Sequence, residues 1–248
     1  MRGNQHRGLP VDAREYSEDD WLVYGEVTKP NTREKLIALT IEEMATKGPS
    51  NFNVKDVCDR IGAKYALINY YFGKKEMLIA EASATSYKKS IRDWHSAILV
   101  GPEDAEKRLR AHLQREMAWF KSMGSWALLV SYPIASDESR ALLEENFGDE
   151  LRKYFEYYLC IVGTMILDLR KGTFSDLNFD VSNYPKSLLL AHPMVVMDGV
   201  SMIWSAHGLN VWAAGQQVGS ANLSHGKFTQ KLAIEHHVDK MIALAKGK

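Results

Sequence analysis

The chain has 248 residues, 46% hydrophobic and 25% charged, enough apolar material for one large domain or for a small domain beside a larger one. Its 31 basic residues balance 31 acidic ones, and a net charge of zero excludes a global pull toward nucleic acid or an anionic membrane. Any such binding has to come from a local patch.

The two cysteines, Cys58 and Cys160, lie far apart in apolar helical text. Without a CxxC pair they argue against a structural zinc site and fit reduced, buried thiols. The polar N-terminus carries no signal-peptide pattern, so the expectation is a cytoplasmic protein. The longest run without a charge, Gly199 to Gly226, is broken by Ser, Asn, Gln and Gly. It does not resemble a membrane span and fits a buried helix leading into a loop.

Residues 1–30 form a polar extension with Pro10, Pro30 and the acidic cluster Glu18-Asp19-Asp20, carrying a net charge of −2. It reads as a loosely docked tail, or as an arm whose early arginines reach toward DNA. From Asn31 the period becomes helical. Thr32 is placed to cap a first helix with the apolar stripe Leu36, Ile37, Thr40, Ile41 and Met44. Gly48-Pro49-Ser50 ends it, and Asn53 caps a short second helix carrying Val54, Val57, Cys58 and Ile61. Gly62 stands where a left-handed turn residue belongs. A third helix follows over Tyr65 to Phe72, closed by Gly73, and a long fourth one runs to about Leu99.

The remainder is helical by pattern as well: about Glu103 to Lys121, a short element from Trp126 to Tyr132, and a long helix from about Asp137 to Leu169. After a loop over Lys171 to Tyr184, two more helices are expected, Pro185 to about Leu209 and Lys227 to about Ala245. No strand, repeat or low-complexity tract is evident. The fold class is therefore all-α. The expected organisation is an extension at 1–30, a DNA-binding domain at 31–80 and a larger helical domain at 81–248.

Two short helices joined by a tight Gly-containing turn make a helix-turn-helix, whose second helix enters the DNA major groove. Five basic residues, Lys55, Arg60, Lys64, Lys74 and Lys75, face only Asp56 and Asp59 in this stretch, a local +3 in a neutral chain. Asn69-Tyr70-Tyr71 crowds the third helix. Asn can pair with adenine, while Tyr hydroxyls and Lys ammoniums can hold phosphates. The amides that open the fourth helix at Lys74 offer a further phosphate site.

Here the chain resembles the tetracycline-repressor (TetR) family of bacterial regulators. The matching text runs from Thr32-Arg33-Glu34 through Ala38 and Gly48 to Val54-Lys55-Asp56-Val57 and Ile61-Gly62. It ends on Ile68-Asn69-Tyr70-Tyr71-Phe72-Gly73-Lys74-Lys75-Glu76-Met77-Leu78. The resemblance implies that Tyr65, Ala66, Leu67 and Asn69 face base edges, and that Tyr70, Tyr71 and Lys75 hold the backbone. Phe72, Ile61, Val57 and Leu78 would be core. Three positions depart from the family: Lys64 where a small hydroxyl residue is frequent, Leu67 where Thr or a small residue is, and Tyr71 where His is. Leu67 either touches a thymine methyl or packs inward.

The resemblance also implies an effector pocket and a dimer interface in the larger domain. Pocket candidates are Trp94, Trp119, Trp126, Tyr132, Tyr158, Met165, Met202 and Trp204, residue types that equally serve as ordinary core. His112, Asp168, His192 and Asp198 are polar residues within apolar stretches, which need partners there; His112 and Asp168 join the pocket set. Met194, Met197, His236 and Met241 on the last two helices are the candidates for contact with a second copy, though such helices also close a monomer's own core. No Glu-x-x-His pair, His-Glu-x-x-His helix, Gly-x-Ser-x-Gly elbow or phosphate loop is present, and no metal or cofactor is expected. The reading is a ligand-responsive regulator, most simply a repressor, binding a near-palindromic double-stranded operator as a homodimer. The alternative is a helical small-molecule-binding protein or enzyme without DNA recognition.

Overall fold

The computed structural model describes residues 31–47, 52–123, 137–203, 205 and 230–247. The extension 1–30, the turn at Gly48-Pro49-Ser50, the element expected at 126–132 and the candidates Trp126, Tyr132 and Trp204 lie outside the described residues. The regular elements among those described are all α-helices: α1 Thr32–Lys47, α2 Val54–Arg60, α3 Ala66–Phe72, α4 Lys75–Leu99, α5 Ala105–Met123, α6 Asp137–Lys171, α7 Lys186–Ala191, α8 over 193–203 and α9 Gln230–Ala245. Two compact units divide the chain, one of residues 1–89 and 119–151, the other of 90–118 and 152–248.

In the first unit, α1 begins with a reciprocal cap. The Asn31 side chain accepts from the Glu34 N–H at 3.0 Å, and the Glu34 carboxylate accepts from the Asn31 N–H at 2.8 Å. Asn31, not Thr32, therefore caps the helix, because the box needs its acidic member three residues on. The stripe read from the sequence is buried throughout: Leu36, Ile37, Thr40, Ile41 and Met44. It packs on α2, whose Val54, Val57 and Cys58 are buried and whose Asn53 caps it by accepting from the Lys55 N–H at 2.9 Å. From α3 only Ile68 and Phe72 are buried, one helical turn apart. Side chains of this size contribute roughly 1.5–3 kcal/mol each when buried, enough to seat a seven-residue helix too short to stand alone.

Gly62 joins α2 to α3 at φ +64°, and Gly73 ends α3 at φ +73°, ψ −42°. Side chains beyond glycine are strained at both positions. Farther along α4, Ala80 and Ala84 pack against Leu143 of α6, with Met77, Leu142, Phe147 and Leu151 around them.

In the second unit, Ile161, Val162, Met165 and Ile166 of α6 are buried together with Leu109, Leu113 and Met117 of α5. Gly172, at φ +65°, ends α6, and the Thr173 N–H returns to the Asp168 carbonyl at 3.0 Å. The loop that follows is held from α4. His95 Nε2 donates to the Leu177 carbonyl at 2.7 Å, and its ring stacks on Phe179 at 5.7 Å. Arg170 donates to the last carbonyls of α9, Ala245 at 2.7 Å and Leu244 at 3.2 Å, and pairs with Asp198 at 2.6 Å. A cation is well placed at a helix C-terminus.

One expected helix is two. The sequence pattern predicts one helix from Pro185 to about Leu209, but α7 stops at Ala191, and His192 sits at φ −134°, ψ 60° before α8 starts at 193. Pro193 is the cause, since its ring disfavours helical backbone at the residue before it.

Candidate nucleic-acid interface and effector cavity

α3 presents a polar outer face because its inner face is spent on Ile68 and Phe72. Lys64, Tyr65, Ala66, Asn69, Tyr70, Lys74 and Lys75 are exposed, Leu67 and Tyr71 half-buried. Tyr70 is 77% exposed, an unusual position for a large aromatic, and it meets the Tyr71 ring edge-on at 4.9 Å. Lys55 is exposed at the start of α2.

The patch is less positive than its composition. Arg60 pairs with Glu42 of α1 at 3.0 Å, and Lys74 pairs with Glu138 of α6. Lys74 therefore meets any phosphate in competition with a carboxylate, a contest a surface pair worth about 0–1 kcal/mol can lose. A contact the sequence did not reveal locks α3 from behind. Arg33 of α1 lies 5.1 Å over the Phe72 ring and pairs with Glu81 of α4 at 2.5 Å.

Of the candidate pocket residues, the second unit brings together Trp94, His112 and Tyr158. Their rings meet at 6.5 Å (Trp94 and His112), 5.3 Å (Trp94 and Tyr158) and 5.6 Å (His112 and Tyr158). His112 Nε2 lies 2.9 Å from the Tyr158 hydroxyl, which also hydrogen-bonds Glu116, a buried carboxylic acid not singled out from the sequence. Burial drives both titrating groups toward neutrality: Glu116 is pushed up to about 8, and His112 down to about 3 by burial and by the neighbouring charge of Arg115.

Trp94 and His112 line a cavity of about 220 Å³, joined by Ala97, Ile98, Arg108 and Arg115. Met165, Asp168 and Met202 are buried but do not line it. Asp168 is occupied elsewhere. It binds Arg108 at 2.5 Å, and accepts from the Ser175 N–H and hydroxyl and from the Thr173 hydroxyl. Burial alone would raise its pKa, and these hydrogen bonds together with Arg108 lower it instead. Arg108 also donates to the Ser175 carbonyl at 3.0 Å and lies 3.9 Å over the Phe174 ring. Asp168 is a clamp on the loop after α6 rather than a pocket wall. The side chain of Trp119 falls outside the described set.

The dimer candidates lie on the surface of the second unit. Met194 is 71% and Met197 56% exposed on α8, and Leu190 on α7 is 87% exposed; His236 is exposed and Met241 half-buried on α9. Among the described residues no helix is long and apolar enough to cross a membrane.

The family model for bacterial regulatory proteins of the tetR family matches residues 36–82, the stretch from α1 into α4. No curated protein matches the chain. Among solved structures, the chain is similar to a proposed transcriptional regulator from Pseudomonas aeruginosa PAO1, at 19% identity over 86% of this chain and 91% of that one, with a TM-score of 0.53. That likeness bears on the fold, and the matched model bears on the helix-turn-helix itself. The match to the tetR family of bacterial regulatory proteins thus covers the helix-turn-helix and the start of α4.

Proposed function

We propose that the protein is a ligand-responsive repressor that binds a near-palindromic operator as a homodimer, with residues 31–80 reading DNA and residues 81–248 holding the effector and the partner copy. The observation that carries the reading is the outer face of α3, where Tyr65, Asn69 and Tyr70 stand exposed between Lys64 and the Lys74-Lys75 pair. A monomeric helical enzyme has no use for such a face. Asn69 and Tyr65 are the base readers, and Tyr70, Tyr71 and Lys75 hold phosphates. Two copies related by a two-fold axis would set their α3 helices about one DNA turn apart.

α6 is the element through which an effector acts. It supplies Glu138 to Lys74 in the first unit and Tyr158 to the His112 cluster in the second. A ligand releases DNA only by the free energy with which it prefers one setting of that helix over the other.

Genomic footprinting tests the reading, with discrete, near-palindromic protected sites expected. On such a site, Tyr70→Ala combined with Lys75→Ala lowers affinity by about tenfold or more and reduces the salt slope by roughly one unit. Undiminished affinity of the double variant removes the phosphate assignment. Binding without any discrete site removes the repressor.

A further inference from the structure

Within the second unit, the cavity beside His112 has a chemistry more specific than a general apolar pocket. Val100 and Pro102 are exposed at its edge, while Trp94, Arg108 and His112 are buried in its floor. A hydroxyl has one proton to give, so Tyr158 donates either to Glu116 or to His112 Nε2. In the second arrangement neutral His112 carries its own proton on Nδ1, the form that can donate to a ligand.

His112 Nδ1 has no partner among the described residues, and neither has the Nε–H of Arg108, whose other nitrogens are taken by Asp168 and Ser175. His112 is 3% exposed and Arg108 4%, and both line the cavity. A buried polar group left unsatisfied is costly, so these two beside one cavity mark a place for a ligand that accepts hydrogen bonds. Arg115 adds a further guanidinium to the lining, and none of the described lining residues is acidic. The rest of the wall is apolar: Trp94, Ala97 and Ile98.

We infer that this cavity binds a small aromatic or branched monocarboxylate, its carboxylate on His112 Nδ1, Arg108 Nε and Arg115 and its apolar body against Trp94 and Ile98. A dry cavity of about 150 Å³ accepts benzene. The volume of about 220 Å³ here suits a benzoate-sized molecule. The inference rests on the ligand-responsive reading and names its ligand class and seat.

Calorimetric titration of the full-length protein with sodium benzoate, and in parallel with benzyl alcohol, tests it. Benzoate binds once per chain, at least about tenfold more tightly than the alcohol, because a charge-assisted hydrogen bond is worth about 1.5–3 kcal/mol. Arg115→Ala and His112→Phe each weaken benzoate about tenfold. Ala97→Phe, at a half-buried wall position, abolishes binding while circular dichroism and the melting transition remain those of a folded protein; it decides the matter should His112→Phe fail to fold. No saturable benzoate binding, equal affinity for the alcohol, or undiminished binding by Ala97→Phe overturns the assignment. The same titration on operator-bound protein separates the two readings. Benzoate that binds without releasing DNA supports the cavity and removes the effector role. DNA release by another compound, without benzoate binding, overturns the cavity and leaves the regulator.

Discussion

At the scale of single residues, burial alone does not tell a ligand group from a structural one. Asp168 and His112 carry the same sequence signal, a polar residue inside an apolar stretch. Asp168 is saturated by Arg108, Thr173 and Ser175, whereas His112 keeps one ring nitrogen without a partner among the described residues. Their substitutions should therefore separate. Asp168→Ala leaves the Arg108 guanidinium charged and buried, which costs about 3–5 kcal/mol, and chemical denaturation should show a loss of that order. Replacing Arg108 by Met and Asp168 by Leu together should recover much of it, since the charges leave as a pair. A loss below about 1 kcal/mol in the single variant would mean that the loop after α6 does not depend on the clamp.

At the scale of elements, periodicity revealed most helices because each buries one stripe against a neighbour. Leu36, Ile37, Thr40, Ile41 and Met44 are all buried, and the turn glycine Gly62 is left-handed as its place required. What the pattern could not reveal is partnership across the chain. Nothing near Arg33 announces Glu81 or Phe72, and nothing near Lys74 announces Glu138; the +3 patch is diminished by contacts 18 and 64 residues away. The break at His192 has its signal in Pro193, which the apolar run on either side obscures. Leu190, Met194 and Met197 are large apolar side chains exposed within eight residues of one another, and such side chains often meet a partner. If they meet a second copy, Met194→Glu with Met197→Glu should shift sedimentation from dimer to monomer at micromolar protein while leaving helix content unchanged. Operator affinity should fall with it, because two half-sites are then read by separate molecules. A double variant that still sediments as a dimer would place the interface on another face.

For the whole molecule, the two neutralised groups of the second unit make stability respond to pH in opposite directions. Glu116 titrates at about 8 in the folded protein against an ordinary value of 4.5, so the native state holds a proton that the unfolded chain releases. Its contribution is fully present below pH 4.5 and is lost as pH rises through 8, at up to about 1.4 kcal/mol per pH unit. His112 runs the other way. Held at about 3 against 6.5, it favours folding above pH 6.5, and that contribution is lost as pH falls toward 3. His95 and His237, lowered mainly by burial, add to this acid-side loss. Between 4.5 and 6.5 the carboxyl and the imidazole oppose each other, so a wild-type melting curve there says little about either. Above pH 6.5 Glu116 acts without that opposition. Glu116→Gln keeps the shape and a hydrogen-bonding amide but has no proton to lose, so the variant's stability relative to wild type should rise steadily from pH 6.5 to 8. Parallel curves over that interval would mean that Glu116 reaches water in the native state, and the hydrogen bonds drawn through Tyr158 to His112 would then have to be reassigned.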